Sequence, residues 1–299
     1  MASRHESEFS SSSSSLPKTR WWSKETVAIV TGANKGIGFA IVKRMAELGL
    51  TVILTARNNA RGMEAVESLN KLGLHVYYHQ LDVSDASSIK AFNSWFANNF
   101  SALDILVNNA AVSFNDIHEN SVEHAEAVIC TNFYGPKRLI EELWPTFRCS
   151  STLTRILNIS SRLGLLGKLR NEELRNMLLD EENLSEKQIE GLVNLFIDNV
   201  KNGTWKSKGW PILWTDYAVS KLALNAYSKV LARNYKGKGI SVNCYCPGFT
   251  QTSMTGGKGK YTAQVAADIG VKLALLPPEH LPTGKFYLGS NPPSIYSKI

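Results

Sequence analysis

The chain has 299 residues, of which 43% are hydrophobic and 20% charged, enough to bury a large core in one or two domains. Its net charge of +7 comes from scattered basic residues without interleaved aromatic side chains, which argues against a nucleic-acid-binding surface. No apolar stretch reaches the roughly 20 residues that a membrane-spanning helix requires.

The first 25 residues differ in composition from the rest of the chain. Ser10–Ser15 is an unbroken serine run, so we predict that residues 1–25 form a disordered, serine-rich tail. The tail lacks the apolar core of a secretory signal, and two early glutamates disfavour a plastid or mitochondrial transit peptide. Trp21 and Trp22 are expected to pack on the edge of a sheet, with an exposed contact as the alternative.

A strand, a glycine-containing turn and a helix are predicted next. Val27–Val30 is a β-branched run typical of a strand buried on both faces, and Phe39–Leu48 is a helical sequence that Gly49 ends. Between them, Thr31–Gly38 contains glycines at spacings of four and two. This layout suits a pyrophosphate, because backbone N–H groups and a helix N-terminus face the ligand and no Cβ keeps it away. A turn that binds no ligand is the alternative.

Strands and helices alternate along the rest of the chain. Further strands are predicted at Thr51–Thr55, Leu74–His79, Asp104–Val107, Arg155–Ile159, Ile240–Cys244 and Lys285–Leu288, and helices at Ala60–Leu72, Ser87–Phe100, about Ser121–Phe147 and around Tyr217. The alternation predicts one doubly wound, Rossmann-type α/β domain over residues 26–299. Its sheet is expected to have seven mostly parallel strands, with ligands at their carboxyl ends.

Residues 162–214 interrupt this alternation. Ser185-x-x-Gln188 is a capping box, and an amphipathic helix pattern follows it as far as Asn202-Gly203. We interpret the segment as an inserted helical lid over the mouth of an active site. A surface excursion that only covers the core is an equally open alternative.

None of the four cysteines belongs to a Cys-x-x-Cys pair, and Cys244-x-Cys246 has no second pair nearby. Together with Cys130 and Cys149, they are expected to be reduced thiols, as in a cytosolic protein. We therefore predict neither a disulfide nor a metal site.

Tyr217 and Lys221 lie four residues apart, on one face of a predicted helix. A free tyrosine has a pKa of about 10, too high for proton transfer near neutrality, and a nearby cation lowers it. Of the ten tyrosines, only Tyr217 has a lysine four residues on. The pair therefore suits acid/base chemistry, with an ordinary surface pair as the alternative.

Ser160 and Ser161 follow the fifth predicted strand. At the carboxyl end of a central strand, a serine hydroxyl can donate to a bound carbonyl oxygen and stabilise the charge that develops there. A Ser-Ser turn that only caps the strand is the alternative.

In order and context, these motifs resemble the short-chain dehydrogenase/reductase family. The likeness extends from about Thr26 to Leu288 and includes Asn108-Asn109-Ala110-Ala111 and Pro247-Gly248. The insertion and the sequence Thr-Gly-x-Asn-Lys-Gly-Ile-Gly resemble the carbonyl-reductase branch, and its plant members in particular. Ala111 stands where the family usually has glycine, a departure from its pattern.

The resemblance implies the roles of four catalytic residues. Tyr217 is the expected general acid/base, and Lys221 is expected to hold the nicotinamide ribose and lower the tyrosine pKa. Ser161, rather than Ser160, is expected to orient the carbonyl, so Ser161 and Tyr217 would contact the substrate. Asn132 is expected to complete a proton relay.

The sequence itself also indicates a role for Asn132. Pro136, four residues on, has no N–H, so the Asn132 carbonyl loses its helical donor. We predict a kink at which this carbonyl holds a water that links Lys221 to solvent. A break between two short helices is the alternative.

NADP(H) is the predicted cofactor. The second strand ends in Thr55-Ala56-Arg57, without the acidic residue that holds the ribose 2′-hydroxyl in NAD-specific enzymes. Arg57 and Lys35 suit a 2′-phosphate instead, although Arg57 alone is also compatible with a solvated residue at a helix start. The resemblance extends the cofactor site to Gly32, Asn34, Lys35, Gly36, Ile37, Gly38, Arg57, Asp82, Val83, Asn108, Ala110, Tyr217, Lys221, Pro247, Gly248 and Thr252.

The predicted reaction is hydride transfer from NADPH to a ketone or aldehyde, with Tyr217 as proton donor. The substrate is expected to be small and mostly apolar, terpenoid- or alkaloid-like. The residues expected to line its binding site are Phe114, Leu163, Leu165, Leu166, Trp205, Trp210, Trp214 and the 247–260 loop. The alternatives are a non-catalytic NADP(H)-binding sensor or scaffold and a sugar-nucleotide epimerase, for which too little chain follows Pro247.

The insertion resembles that of monomeric relatives, so a monomer is predicted. We expect a cytoplasmic protein. The alternatives are the plastid and the peroxisome, the latter because Ser297-Lys298-Ile299 resembles a Ser-Lys-Leu address.

Overall fold

A computed structural model describes residues 20–114, 120–148, 154–277 and 281–289, and the backbone of 294–296. Its strands are β1 Val27–Val30, β2 Thr51–Ala56, β3 Tyr77–Gln80, β4 Ile105–Asn108, β5 Thr154–Ile159, β6 Ile240–Cys246, β7 Phe286–Leu288 and β8 Ser294–Tyr296. They form one sheet in the order β3-β2-β1-β4-β5-β6-β7-β8. The first seven strands pair in parallel, which confirms the predicted doubly wound sheet, and β8 adds an antiparallel edge.

Helices cover both faces of the sheet. They are α1 Gly36–Glu47, α2 Asn59–Asn70, α3 Ala86–Asn99, α4 Val122–Ile129, α5 Gly135–Leu143, α6 Glu172–Leu179, α7 Glu186–Lys201, α8 Thr215–Asn234 and α9 Ala263–Ala274. Helix α1 begins three residues earlier than predicted, so the last two glycines of the turn lie in its first turn. In the parts of the chain that the structure describes, no helix is both long and apolar enough to cross a membrane.

The central strands are fully buried, although β5 and β6 include polar residues such as Arg155, Asn158 and Asn243. Every residue of β1, β4, β5 and β6 is buried, as expected for strands that helices cover on both sides. One hydrophobic core joins the sheet to α3, α4, α5, α7 and α8, and a second joins it to α1, α2 and α9. The carboxyl ends of the strands are thereby held rigidly at one edge of the molecule.

Residues 20–22 pack at the opposite end of the strands from their carboxyl ends. Trp22 is only 4% exposed, and the Trp21 indole N–H donates to the Leu275 carbonyl at 3.1 Å. The Arg155 guanidinium lies 3.5 Å from the centre of the Trp21 ring. The predicted tail boundary at residue 25 is therefore wrong, because the two tryptophans gain more from burial than they lose in entropy. Residues 1–19 lie outside the described chain.

Helix α7 of the insertion covers the helical layer beside α8 and α4. Its capping box is present, since the Gln188 N–H donates to Ser185 Oγ at 3.3 Å and the Ser185 N–H to Gln188 Oε1 at 2.9 Å. The apolar face of α7 is buried, so this helix covers the core as in the alternative interpretation. The two ends of the insertion adjoin Ser161 and Tyr217 in the chain.

Candidate active site

The glycine-containing turn packs directly on the end of β4. The Asn109 side-chain amide donates to the carbonyls of Thr31 at 2.9 Å and Gly32 at 3.1 Å. An added Cβ would lie 2.8 Å from the Ala110 Cα at Gly32, and would overlap the Asn109 amide nitrogen at Gly38. Gly32 also has φ of +60°. Glycine is thus required at these positions by the packing of the protein as well as by the expected pyrophosphate.

The N-terminus of α1 has no capping side chain. Lys35 occupies the N-cap position without a side-chain hydrogen bond, and the first turn contains no acidic residue. In α2 and α3, by contrast, Asn58 and Asp85 accept backbone N–H groups. The N–H groups at the start of α1, where the helix dipole is positive, are therefore available to an anion such as a cofactor phosphate.

A cavity of about 340 Å³ lies beside this helix start. Its lining consists of Asn34, Lys35, Phe39, Arg61, Glu64, Ala65 and Ser68. Arg61 was not predicted as a site residue; the signal in the sequence is its position four residues after Arg57, in the first turn of α2. The salt bridges of the described chain do not include Lys35, Arg57 or Arg61. These three residues can therefore supply charge to a phosphate.

Some predicted cofactor residues have side chains that already serve the fold. The Asn108 amide donates to Asn158 Oδ1 at 2.8 Å, and Val83 is buried against Gly135. Asp82 Oδ1 accepts from the Ser84 N–H at 2.9 Å and from its hydroxyl at 2.6 Å. Asn108 and Val83 are consequently placed to meet a cofactor through their backbone rather than their side chains.

The loop after β6 reaches the glycine-containing turn. An added Cβ at Gly36 would lie 3.5 Å from Thr252 Cγ2, so Thr252 stands directly beside the start of α1. Gly248, after Pro247, has φ of +78°, and an added Cβ there would lie 3.0 Å from the Tyr261 ring. The two predicted halves of the cofactor site are thus neighbours in space.

Ser161, Tyr217 and Lys221 come together at the ends of β5 and α8. The Ser161 hydroxyl lies beside the Tyr217 hydroxyl and acts to lower its pKa, and Lys221 Nζ lies 5.5 Å from the centre of the Tyr217 ring. Lys221 Nζ also donates to the Ile159 carbonyl at 2.8 Å. Ser160, by contrast, is buried and donates its hydroxyl to Asn225 Oδ1 at 2.6 Å. Of the two serines, only Ser161 faces the tyrosine.

Burial controls the protonation of both ionisable groups. It raises the pKa of Tyr217, an effect that nearby Cys246 reinforces and the Ser161 hydrogen bond opposes. It also lowers the pKa of Lys221 to about 8. Without a cofactor, the net shift of the Tyr217 pKa is therefore upward, because burial outweighs the other contributions. The lowering of this pKa by Lys221 stays a prediction.

Asn132 lies in a π-helical turn, Cys130–Tyr134, between α4 and α5. The Gly135 N–H donates to the Cys130 carbonyl, so the helix widens ahead of Pro136 and continues. A π-turn is a recognised cause of a helix bend. The two-helix alternative is thus replaced by a continuous helix with one irregular turn.

The Asn132 side chain joins two elements of the site. Its Oδ1 accepts the Val112 N–H at 2.9 Å, and its amide donates to the Val112 carbonyl at 2.9 Å and to Ser220 Oγ at 3.1 Å. Asn132 is fully buried. Its side chain therefore holds the segment after β4 against α8.

The predicted apolar lining is only partly correct. Leu166 and Trp210 are buried in the core, and the Trp210 indole N–H donates to Asn199 Oδ1 at 3.0 Å, so neither is available to a substrate. Trp214 is partly exposed, has φ of 49°, and lies edge-on to Tyr217 with 6.1 Å between ring centres. Exposed apolar residues of the segments that end at this edge are Phe114, Ile212, Leu213 and Phe249.

Comparison with known proteins identifies the relatives of this chain. The family model described as short chain dehydrogenase matches residues 26–171 and 206–262. The (+)-neomenthol dehydrogenase of Arabidopsis thaliana is 38% identical over 283 residues, 87% of this chain and 95% of that protein. The NADPH carbonyl reductase 1 of Mus musculus is 36% identical over 273 residues, 88% of this chain and 96% of that protein. The solved structure of salutaridine reductase from Papaver somniferum has a TM-score of 0.81 and 36% identity, covering 87% of this chain and 99% of that one.

Proposed function

Because the chain belongs to the short-chain dehydrogenase/reductase family and is an oxidoreductase, we propose that it is an NADPH-dependent carbonyl reductase. The observation that carries the proposal is the meeting of Ser161, Tyr217 and Lys221 at the carboxyl edge of the sheet. This is the edge at which doubly wound sheets bind their ligands.

The residues present fit NADP(H). The uncapped start of α1 and the glycine-containing turn suit the pyrophosphate. Lys35 and Arg61, which line the cavity beside α1, supply charge for a 2′-phosphate, and Arg57 follows the end of β2. The name of the mouse relative specifies NADPH. When bound, the cofactor supplies the hydride that reduces the carbonyl carbon.

Tyr217 gives the proton to the carbonyl oxygen, while Ser161 donates a hydrogen bond to that oxygen and stabilises its developing charge. The phenol is protonated at neutral pH, because burial raises its pKa. Lys221 Nζ lies 5.5 Å from the centre of the phenol ring, and in the proposed mechanism its ammonium lowers the Tyr217 pKa towards neutrality and holds the cofactor ribose.

The substrate we propose is a small, mostly apolar ketone or aldehyde, terpenoid- or alkaloid-like. The exposed apolar side chains near the site support this class, as do the names of the plant relatives. We further propose a monomer, because α7 covers α4 and α8, and a cytoplasmic protein. The peroxisomal alternative depends on residues 297–299, which lie outside the described chain.

The test is the oxidation of NADPH and NADH by the purified protein over a panel of ketones and aldehydes, with Tyr217→Phe in parallel. We expect turnover with NADPH, less with NADH, and a loss of at least about 100-fold in Tyr217→Phe because the proton donor is gone. Tyr235→Phe, at the far end of α8, is the matched control. NADPH binding without turnover on any carbonyl would favour the sensor or scaffold instead.

A further inference from the structure

One face of α8 is hydrogen-bonded to the end of β5 over three successive positions. The pairs are Lys221 Nζ to the Ile159 carbonyl at 2.8 Å, Ser160 Oγ to Asn225 Oδ1 at 2.6 Å, and Asn158 Nδ2 to Ser228 Oγ at 2.8 Å. Positions 221, 225 and 228 recur at helical spacing, so they share one face of the helix. The Ser160–Asn225 pair lies directly before Ser161 in the sequence.

Asn225 binds that chain on both sides of Ser161. Its Oδ1 accepts the hydroxyl of Ser160, and its Nδ2 donates to the Gly164 carbonyl at 3.0 Å. The side chain is fully buried, so water cannot replace either partner. Asn225 therefore fixes both ends of the short loop, 160–164, in which Ser161 lies.

The loop is also in direct contact with the catalytic helix. An added Cβ at Gly164 would overlap the Lys221 backbone and lie 2.6 Å from the Leu222 nitrogen. Ser161 Oγ accepts the Leu163 N–H at 3.2 Å within the same loop. A small movement of the loop along α8 would thus change the distance between the Ser161 hydroxyl and Tyr217.

We propose that Asn225 is a positioning residue that holds the Ser161 hydroxyl against the Tyr217 phenol. The inference rests on the proposed carbonyl-reductase function, in which both hydroxyls meet the substrate oxygen. Asn225 touches neither reacting group and acts through Ser161. Misplacing a catalytic group by about 1 Å is enough to reduce a rate roughly 100-fold.

The test compares Asn225→Leu with Asn243→Leu, a matched change at another buried asparagine. Asn243 also binds backbone on both sides, since its Nδ2 donates to the Pro282 carbonyl and its Oδ1 accepts the Lys285 N–H. Both variants lose buried hydrogen bonds, so both are expected to melt at lower temperature. Only Asn225→Leu is expected to lose roughly 10- to 100-fold in kcat/KM for the carbonyl, with the KM for NADPH unchanged.

Two further readouts separate positioning from a loss of stability. The Ser161 hydrogen bond lowers the pKa of Tyr217, so its loss in Asn225→Leu should move the pH profile of alcohol oxidation to higher pH. In addition, Ser161→Ala combined with Asn225→Leu should be no slower than Ser161→Ala alone, because both changes remove the same contact. Additive losses, or an unchanged pH profile, would overturn the inference.

A readout without turnover keeps the inference separate from the proposed function. Amide hydrogen exchange in residues 161–165 should rise in Asn225→Leu and stay unchanged in Asn243→Leu. If no carbonyl is reduced by the wild type, the proposed function fails, and this exchange still decides whether Asn225 holds the loop. Unchanged exchange in both variants would show that it does not.

Discussion

At the scale of single residues, the site is defined by how deeply its charged groups are buried. Tyr217 and Lys221 are both largely withdrawn from water, which raises one pKa and lowers the other. Lys35 and Arg61, in contrast, are exposed and line a cavity beside the start of α1, together with Glu64. The two halves of the proposed active site thus differ in how far they are buried.

Arg61 should discriminate between the two nicotinamide cofactors. A charge-assisted hydrogen bond to a 2′-phosphate contributes about 1.5–3 kcal/mol, so Arg61→Ala should weaken NADPH binding by roughly 10- to 100-fold. NADH lacks that phosphate, and its binding should hardly change. Titration of cofactor fluorescence measures both, with Arg44→Ala on the exposed face of α1 as the control. An equal loss for NADPH and NADH would show that Arg61 does not contact the phosphate.

The burial of the Lys221 ammonium should lower the stability of the fold, although the residue serves the proposed function. Its pKa of about 8 in the folded chain lies below the value of about 10.4 for an unfolded lysine. Folding therefore releases a proton between these values, and the penalty on the fold is complete below about pH 8 and vanishes above about pH 10.4. Lys221→Met should be inactive yet at least as stable as the wild type near pH 7.

Urea unfolding of Lys221→Met and the wild type, near pH 7 and near pH 10, measures this difference. The wild type should gain stability relative to the variant as pH rises, because its lysine becomes neutral. A variant that is clearly less stable near pH 7, or whose advantage grows with pH, would contradict the assignment.

At the scale of elements, the turn between β1 and α1 is shaped by its neighbour β4. Gly38 faces Asn109, whose amide holds the turn by two backbone carbonyls. Asn132 performs a similar task for the segment after β4 by joining it to α8. Asparagine side chains thereby anchor the segment after β4, to the glycine-containing turn through Asn109 and to α8 through Asn132.

Gly38→Ala should damage both the fold and the cofactor site. The added methyl group would overlap the Asn109 amide, and such overpacking costs about 1–3 kcal/mol. Gly191→Ala on α7 is the matched control, because no atom lies within 4 Å of its added Cβ and alanine favours a helix by about 1 kcal/mol. Thermal unfolding and NADPH titration of both variants check this, and equal effects would contradict it.

At the scale of the whole molecule, the two edges of the sheet have separate tasks. The carboxyl edge carries the proposed site, whereas the amino edge is closed by Trp21 and Trp22 against α9 and the start of β5. Buried Arg155 is stacked against Trp21 there, and burial lowers its pKa to about 9. Removing that indole would expose a charge at the base of a central strand.

Two truncations test the role of this N-terminal pair. Removal of residues 1–19 retains the described contacts of Arg20, Trp21 and Trp22 and is the reference. Removal of residues 1–22 should lower the free energy of unfolding by roughly 2–5 kcal/mol, the scale of losing a large buried aromatic side chain. Calorimetry compares the two, and equal stability would show that Trp21 and Trp22 contribute nothing.

Several features were determined by the sequence itself, because they depend on local patterns. The alternation of apolar strands and helices is enough to predict the parallel sheet, and glycine spacing is enough to predict the turn after β1. Tyr217 and Lys221 lie one helical turn apart in any helix that contains them. β8, which pairs antiparallel with β7 at the edge of the sheet, was not predicted.

Other features were decided only by the tertiary structure, because they depend on segments distant in the chain. Trp210 is core rather than lining because Asn199 and Phe196 of α7 meet it. The upward shift of the Tyr217 pKa results from burial by several elements, which no local sequence pattern predicts. Arg61 resembles any exposed helical arginine until the cavity beside α1 is seen. Long-range packing, rather than residue type, therefore separates site from scaffold in this protein.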